Sequence, residues 1–447
     1  MIIDSAWREH EGVHIPAALL DGAQITGLER ADAPRPWGND GQASVDVLEI
    51  ELTSGVTRKV IWKHARVPPT DNKSKEEADK RLASFEAEAA FFTACAPRLA
   101  VDTHVPNLWG VSHSWNSRWY SLWMSNLIVD GYPRQPAELS LDLARRALEW
   151  CARLHAEFWA EPNPPGLWAI GSYYNLAKTT GSLSEARMRS NLHAIKAGKA
   201  HSSLAPRLFR AAVPLDTALH EQGLLLPATA PAPTSEDGLG AQMRRSARKR
   251  SRASVEEEEA AAARAVRLPL HRTVVHGDAK CENLFFAAAF AAEADGVHLE
   301  SGLCAACDFQ WSGRAVGSVD VVYLLTASLK DGLIGAHEST LLRHYHSTLC
   351  ERLRRRTAAG ASAPEAPEAP SWAHLELEYN LATLDFVRFV IADAPLIDAD
   401  AWLLARADLL LARLDGGMVR TPAQYAEALN ACADATAPSN PLTGVVV

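Results

Sequence analysis

"VVHGDAKCENLFF" spans residues 274 to 286, and its reading decides the fold. Two β-branched residues lead into His276, Gly277 and Asp278; Asn283 stands five positions past the aspartate, and the chain then returns at once to apolar residues. A strand, a polar loop and a second apolar run account for that pattern. A packed core has no use for a carboxylate and a carboxamide so placed, but phosphoryl transfer does. It asks a protein for positioning, for charge neutralisation by Mg²⁺, and for a carboxylate that orients the acceptor hydroxyl and takes its proton. Asp278 is the candidate carboxylate and Asn283 the candidate metal ligand; the bland alternative is a capping aspartate in a loop.

Working toward the C-terminus, "LCAACDFQWS" (303 to 312) reads as an apolar strand ending in Asp308, Phe309 and Gln310. Protein kinases carry Asp-Phe-Gly there with the aspartate on Mg²⁺, and their catalytic loop has the same five-residue spacing from Asp to Asn. Asp308 is therefore the second candidate metal ligand. Cys304 and Cys307 make a C-x-x-C in this stretch, but no second pair lies at zinc spacing, and ordinary buried thiols are expected.

Toward the N-terminus, "VDVLEIELTSGVTRKVIWK" (45 to 63) alternates polar and apolar residues on both sides of "TSG", which predicts an antiparallel hairpin ending in Lys63. From Lys75 to about Ala96, Leu82, Phe85, Ala89 and Phe92 recur at helical spacing. "FEAEAAFF" offers Glu88, with Glu86 as competitor, to pair with Lys63 and hold its ammonium against nucleotide phosphates. Glu88 is favoured because it directly precedes the apolar run. Gly38 and Gly41, in "WGNDGQAS", are candidates for a backbone approach to phosphates, and a simple turn explains them equally well. "RWYSLWMSNLIV" (118 to 129) is strand-like and offers Met124 to Asn126 as adenine contacts, while "LSLDLARRALEWCARLHAEFW" (139 to 159) is an amphipathic helix with Ser140 as its N-cap.

The 447 residues, 47% hydrophobic, can bury a large core. A net charge of -9 spread along the chain argues against general nucleic-acid affinity. No run of residues has the length and apolarity of a membrane span or signal peptide, and seven scattered cysteines fit a reducing compartment, so a cytoplasmic monomer is the expectation. Residues 227–263, with a basic cluster followed by four glutamates, and 357–371, repeating "PEA", read as surface insertions that pack nowhere. A nucleic-acid patch in the basic cluster is the weaker alternative. Strands dominate early and helices late, which gives an α+β chain with a β-rich nucleotide-binding lobe over 1–126 and a mainly helical catalytic and acceptor-binding lobe over 127–447.

"HGDAKCEN", "DFQ", "VDVVYLL", "FEAEAAFF" and "LEWCARLHAEFW" together resemble the ecdysteroid-kinase-like (CHK kinase-like) branch of the aminoglycoside phosphotransferase and choline kinase superfamily. The likeness covers most of 40 to 400. It implies a bilobal protein-kinase-like fold, ATP and Mg²⁺ as cofactors, Asp278 as catalytic base, Asn283 and Asp308 on the metal, Lys63 with Glu88 as the nucleotide-lobe ion pair, and Asp320 as a brace for the catalytic loop. His155 matches a family position, though a packed histidine on an apolar helix face is the better explanation. Two departures stand out: Ser125 and Asn126 where the family often has an acidic residue, and Ala279 with Lys280 where bulky apolar residues are common. Lys280 either reaches the transferred phosphate or points to solvent.

Only eleven residues separate Asp308 from Asp320, which leaves no room for a peptide-binding activation segment, and Gly277 stands where protein kinases have Arg. The expected acceptor is a small hydroxylated molecule. Tryptophans such as Trp150, Trp159, Trp168 and Trp311 could wall an apolar or cation-binding pocket or fill the core. A catalytically inactive binding protein of the same fold is the alternative.

Overall fold

The computed structural model describes residues 7–10, 12–30, 43–67, 72–179, 183–220, 270–287, 303–330, 332–358, 368–393, 401–434, 436–437 and 439–445. Gly38 and Gly41, the 227–263 stretch and most of 357–371 lie outside them.

The first lobe is built on an antiparallel sheet. A short hairpin of β1 (Trp7–His10) and β2 (Val13–Pro16) precedes five strands, β3 (Ile25–Arg30), β4 (Ser44–Leu52), β5 (Thr57–Arg66), β6 (Leu108–Ser114) and β7 (Trp119–Ser125), in the spatial order β3-β4-β5-β7-β6. The expected hairpin is β4 with β5, turning at Gly55, whose φ of 79° suits a residue without Cβ. Strand periodicity assigns the two faces. Leu48, Ile50, Val60 and Trp123 pack beneath the β1–β2 segment with Ile15 and Leu19, while Ile61, Ala65, Leu122 and Met124 join the main core on the other face. Lys63 lies between Ile61 and Ala65 on that second, buried face.

Against it lies α1 (Asn72–Ala90), which ends in a π-helical turn, Phe91–Cys95, where the expected helix continued regularly to Ala96. The widened turn lets two consecutive aromatics, Phe91 and Phe92, both sink into the core.

The second lobe is helical. α2 (Leu141–Glu157) is capped by Ser140, whose hydroxyl accepts from the Leu143 N–H at 3.4 Å, and it packs along the helix Leu333–Ala358. The helix Trp372–Ala392 is buried on every side from Leu375 onward, its buried Glu378, Asn380, Asp385 and Arg388 all hydrogen-bonded, and packs on Leu204–Leu219 and Ser318–Ser328. Between the lobes, β8 (Arg272–Val275) pairs with β11 (Gly313–Val316), and β9 (Leu284–Phe286) with β10 (Cys304–Ala306). The molecule is thus a bilobal, protein-kinase-like α+β fold. Among the described residues no helix is long and apolar enough to cross a membrane, and all seven cysteines are buried and free.

Candidate active site

The two small sheets between the lobes place the polar residues. β8 delivers the chain to His276, and the β9–β10 pairing sets Leu284 against Ala306, so that Asn283 and Asp308 emerge from neighbouring strand ends. The Cys307 N–H donates to the Asn283 carbonyl at 3.0 Å. Asp278 and Asn283, from one loop, and Asp308, from the neighbouring strand end, therefore meet at one place.

The loop is held from below by Asp320, at the start of the helix Ser318–Ser328. Its carboxylate accepts from the His276 N–H at 2.7 Å and the Gly277 N–H at 2.9 Å, and from His155 Nε2 at 3.1 Å. His155 Nδ1 in turn meets the Tyr345 hydroxyl at 2.8 Å. Burial by itself would raise the Asp320 carboxyl, but the His155 bond and charge outweigh it and hold it below the usual range. His155 is thus both packed and functional in the loop's support. His276 accepts from the Asp278 N–H on Nδ1 at 3.2 Å, which leaves Nε2 to donate to the Cys307 carbonyl at 2.9 Å. That ring ties the loop to the strand carrying Asp308.

Gly277 has a structural reason of its own. Its φ is +84°, and a Cβ there would stand 2.1 Å from the Trp311 carbonyl oxygen. No side chain fits, arginine included. The Trp311 segment passes this close because it is pinned on both sides: β11 pairs with β8, and the Ser172 N–H donates to the Trp311 carbonyl at 3.1 Å.

Asp278 Oδ2 accepts from Asn283 Nδ2 at 3.0 Å and lies 3.2 Å from the Lys280 ammonium, while its buried Oδ1 has no hydrogen-bond partner among the described residues. Burial pushes the Asp278 carboxyl up, against the pull of Lys280. Lys280 therefore turns to the aspartate rather than to solvent. With Asn283 Nδ2 spent on Asp278, the Oδ1 end is left as its acceptor.

Asp308 has a left-handed φ of 65°, a strained conformation for a residue with a Cβ. Phe309 anchors the segment: it is fully buried, stacked on Phe91 at 3.7 Å and edge-on to Phe92 at 5.6 Å. Asp308 Oδ1 accepts from Lys63 at 2.9 Å, and Lys63 also donates to Glu88 at 3.0 Å. Glu88, not Glu86, faces the lysine, and Tyr120 donates to its other oxygen at 3.1 Å. Burial would lower the Lys63 ammonium, but Asp308 and Glu88 overcome it and keep the group protonated. Burial also works against Asp308, and Lys63 holds that carboxyl below its usual range.

The strand end at Met124 to Asn126 is occupied with its own turn. Met124 is buried in the sheet, the Asn126 carboxamide oxygen accepts from the Ile128 N–H at 3.0 Å, and the Ser125 hydroxyl bonds Asp130. The side chain of Asn126 is thereby directed into its loop. Of the tryptophans, Trp150 and Trp159 are core residues, whereas Trp168 and Trp311 stand half-buried beside the catalytic loop. The sequence assigns no role to Tyr120, Tyr173 and Tyr323, although Tyr120 and Tyr323 lie within the quoted stretches; the fold sets Tyr120 on Glu88 and Tyr173 on Tyr323.

The described residues hold no group of three His, Cys, Asp or Glu side chains able to close around a metal. Mg²⁺ does not require one, because it is bound through one or two carboxylates together with substrate phosphates and water. The Asp308 carboxylate beside Asn283, whose Oδ1 is left as an acceptor, fits that kind of ion.

Residues 248–357, about a quarter of the chain, match the model of the ecdysteroid kinase-like family, and that stretch includes the catalytic loop, Asp308 and Asp320. No curated protein matches the chain. Solved structures similar to it include a microcompartment-associated aminopropanol kinase, 13% identical over 94% of each chain with a TM-score of 0.38. Another is the aminoglycoside phosphotransferase APH(4)-Ia, 10% identical over 88% of this chain and 95% of that one, with a TM-score of 0.33. A third, a GDP complex of an aminoglycoside 2′-phosphotransferase-IIIa variant, is 9% identical over 88% and 92%, with a TM-score of 0.29.

Proposed function

We propose that this protein is an ATP- and Mg²⁺-dependent phosphotransferase that acts on a hydroxyl group of a small molecule. The observation that carries this reading is the convergence of four polar side chains from three segments, Lys63 of β5, Asp278 and Asn283 of one loop, and Asp308 after β10, in a site braced by Asp320. A structure that needed only to pack would not gather two carboxylates and an ammonium at cost to its stability.

In this reading residues 1–126 bind the nucleotide and 127–447 carry catalysis and the acceptor. Lys63, fixed by Glu88, holds the phosphates. Asn283 and Asp308 would hold Mg²⁺, which when bound neutralises charge developing on the transferred group. Asp278 orients the acceptor hydroxyl and takes its proton as the new P–O bond forms and the bond to ADP breaks. Its raised carboxyl suits a base that must capture a proton and release it again. Gly38 and Gly41 would approach the phosphates, and at Met124 to Asn126 only the backbone is left to meet the adenine.

The short pinned segment from Asp308 to Asp320 supports a small acceptor over a peptide. Turnover of ATP against a library of hydroxylated compounds, for the native protein and for Asp278→Asn, tests the reading. Acceptor-dependent ADP release that the substitution abolishes is expected. Nucleotide binding without turnover of any acceptor would point instead to a binding protein of this fold.

A further inference from the structure

Beside the loop at Gly277 stands a wall of half-buried aromatic side chains that the phosphotransfer chemistry leaves unexplained. Trp168 and Trp311 stack there with centroids 5.6 Å apart, and Tyr173 tilts against Trp311 at 6.2 Å. All three are half-buried. The wall adjoins the loop directly, since the Tyr173 N–H donates to the Gly277 carbonyl at 3.2 Å.

Two lysines converge on this wall. Lys80 reaches across from α1 and donates to the Lys178 carbonyl at 2.8 Å, with its ammonium 5.6 Å from the Trp311 ring. Lys178 donates to the carbonyls of Ile170 and Ser172, and its ammonium lies 4.6 Å from Trp168 and 6.0 Å from Trp311. Carbonyls and ring faces solvate an ammonium without neutralising it. Among the described residues neither lysine forms an ion pair, unlike Lys63 and Lys280.

The acids that act on the pair do so from a distance or are already engaged. Glu76, Glu77 and Asp393 act on Lys80, and Asp393 is paired with Arg187 at 2.7 Å. Asp216 acts on Lys178, but it is fully buried, and burial pushes its own carboxyl up to about 7. Burial and the neighbouring Lys80 depress the Lys178 ammonium well below its usual range. The aromatic wall therefore carries two converging amino groups and, among the described residues, no acidic side chain paired with either of them.

We propose that the acceptor carries an anionic group, a carboxylate or a phosphate or sulfate ester, which sits against Lys80 and Lys178 while its apolar body lies on Trp311 and Trp168 and its hydroxyl reaches Asp278. This rests on the phosphotransferase reading and deepens it by naming the acceptor's charge. Because Lys80 belongs to one lobe and Lys178 to the other, the anion also ties the lobes together around the reacting hydroxyl.

The test titrates the full-length protein with a hydroxynaphthoate and with the uncharged naphthol of the same skeleton, followed by naphthyl fluorescence. The carboxylate is expected to bind at least about tenfold more tightly, as a partly desolvated charge pair allows. That preference should vanish in Lys80→Met and Lys178→Met and survive in Lys178→Arg. Should Lys178→Met fail to fold, Lys80→Met, at a half-buried position of α1, carries the comparison. Equal binding of the two probes by the native protein, or a preference that persists in Lys80→Met, overturns the proposal. A parallel ADP titration separates the two failures: loss of ADP binding by the native protein counts against the phosphotransferase reading, whereas intact ADP binding with equal probe affinities counts against the anion subsite alone.

Discussion

Asp278, at the tip of its loop, has one oxygen without a partner among the described residues and a carboxyl pushed up by burial, whereas Asp320, at the base, accepts three hydrogen bonds and has a carboxyl held down by His155. Both are almost wholly shielded from water, at 6% and 1% exposure, so burial does not distinguish them. Hydrogen-bond donors do. A carboxylate given donors on most of its lone pairs becomes a structural anchor, and one left short of them stays basic enough to react. The difference separates the carboxylate proposed to do chemistry from the one that holds its loop still.

The sharpest way to break this comparison is to remove each carboxyl in turn. Asp278→Asn should cost about two to four decades of turnover, the usual effect of losing a general base. Its stability should hold or rise at neutral pH. The sign follows from the raised carboxyl: the folded protein prefers the protonated form, so that preference contributes stability at low pH and is lost as pH rises through the folded value. Equal losses of turnover and stability, read by single-turnover assay and urea melts, would merge the two aspartates into one role.

Asp320→Ala should show the reverse balance, with stability falling by about 3–5 kcal/mol as three donors lose a buried charged partner. Its lowered carboxyl stabilises the fold above the unfolded value and ceases to do so as pH falls through the folded one. The gap between native and variant melts should therefore close in acid. Activity gives the complementary profile for Asp278: the acid limb of kcat/KM should lie above the ordinary aspartate range, because the base must be deprotonated.

Smaller effects sharpen the picture of what lies between the two carboxylates. Gly277→Ala places a Cβ against the Trp311 carbonyl in a left-handed conformation, and about 1–3 kcal/mol of stability should be lost. Tyr345→Phe removes only the outermost link, the hydroxyl on His155 Nδ1, and about 0.5–1.5 kcal/mol is expected from thermal melts with turnover nearly retained.

The loop and the strand end at Asp308 were legible because their chemistry demands fixed residue types at short spacing. Asp278 and Asn283 are five apart in sequence and 3.0 Å apart in space, so the sequence nearly states the contact. Glu88 could be preferred over Glu86 because helix periodicity says which of two positions faces the core. The β1–β2 hairpin and the outer strands β3 and β6 were not anticipated, since short edge strands carry little alternation to read.

The sequence alone determined the order of the elements, the polar residues of the catalytic loop and the absence of space for a peptide-binding segment, since each depends on contacts within a few residues or on chain length. Only the tertiary structure decided that Gly277 is required by the Trp311 carbonyl, that Lys280 turns to Asp278, and that Lys80 and Lys178 converge on one aromatic wall. Those contacts join residues that local pattern leaves independent, such as Lys80 and Lys178, almost a hundred positions apart, and only packing of the whole chain brings them together.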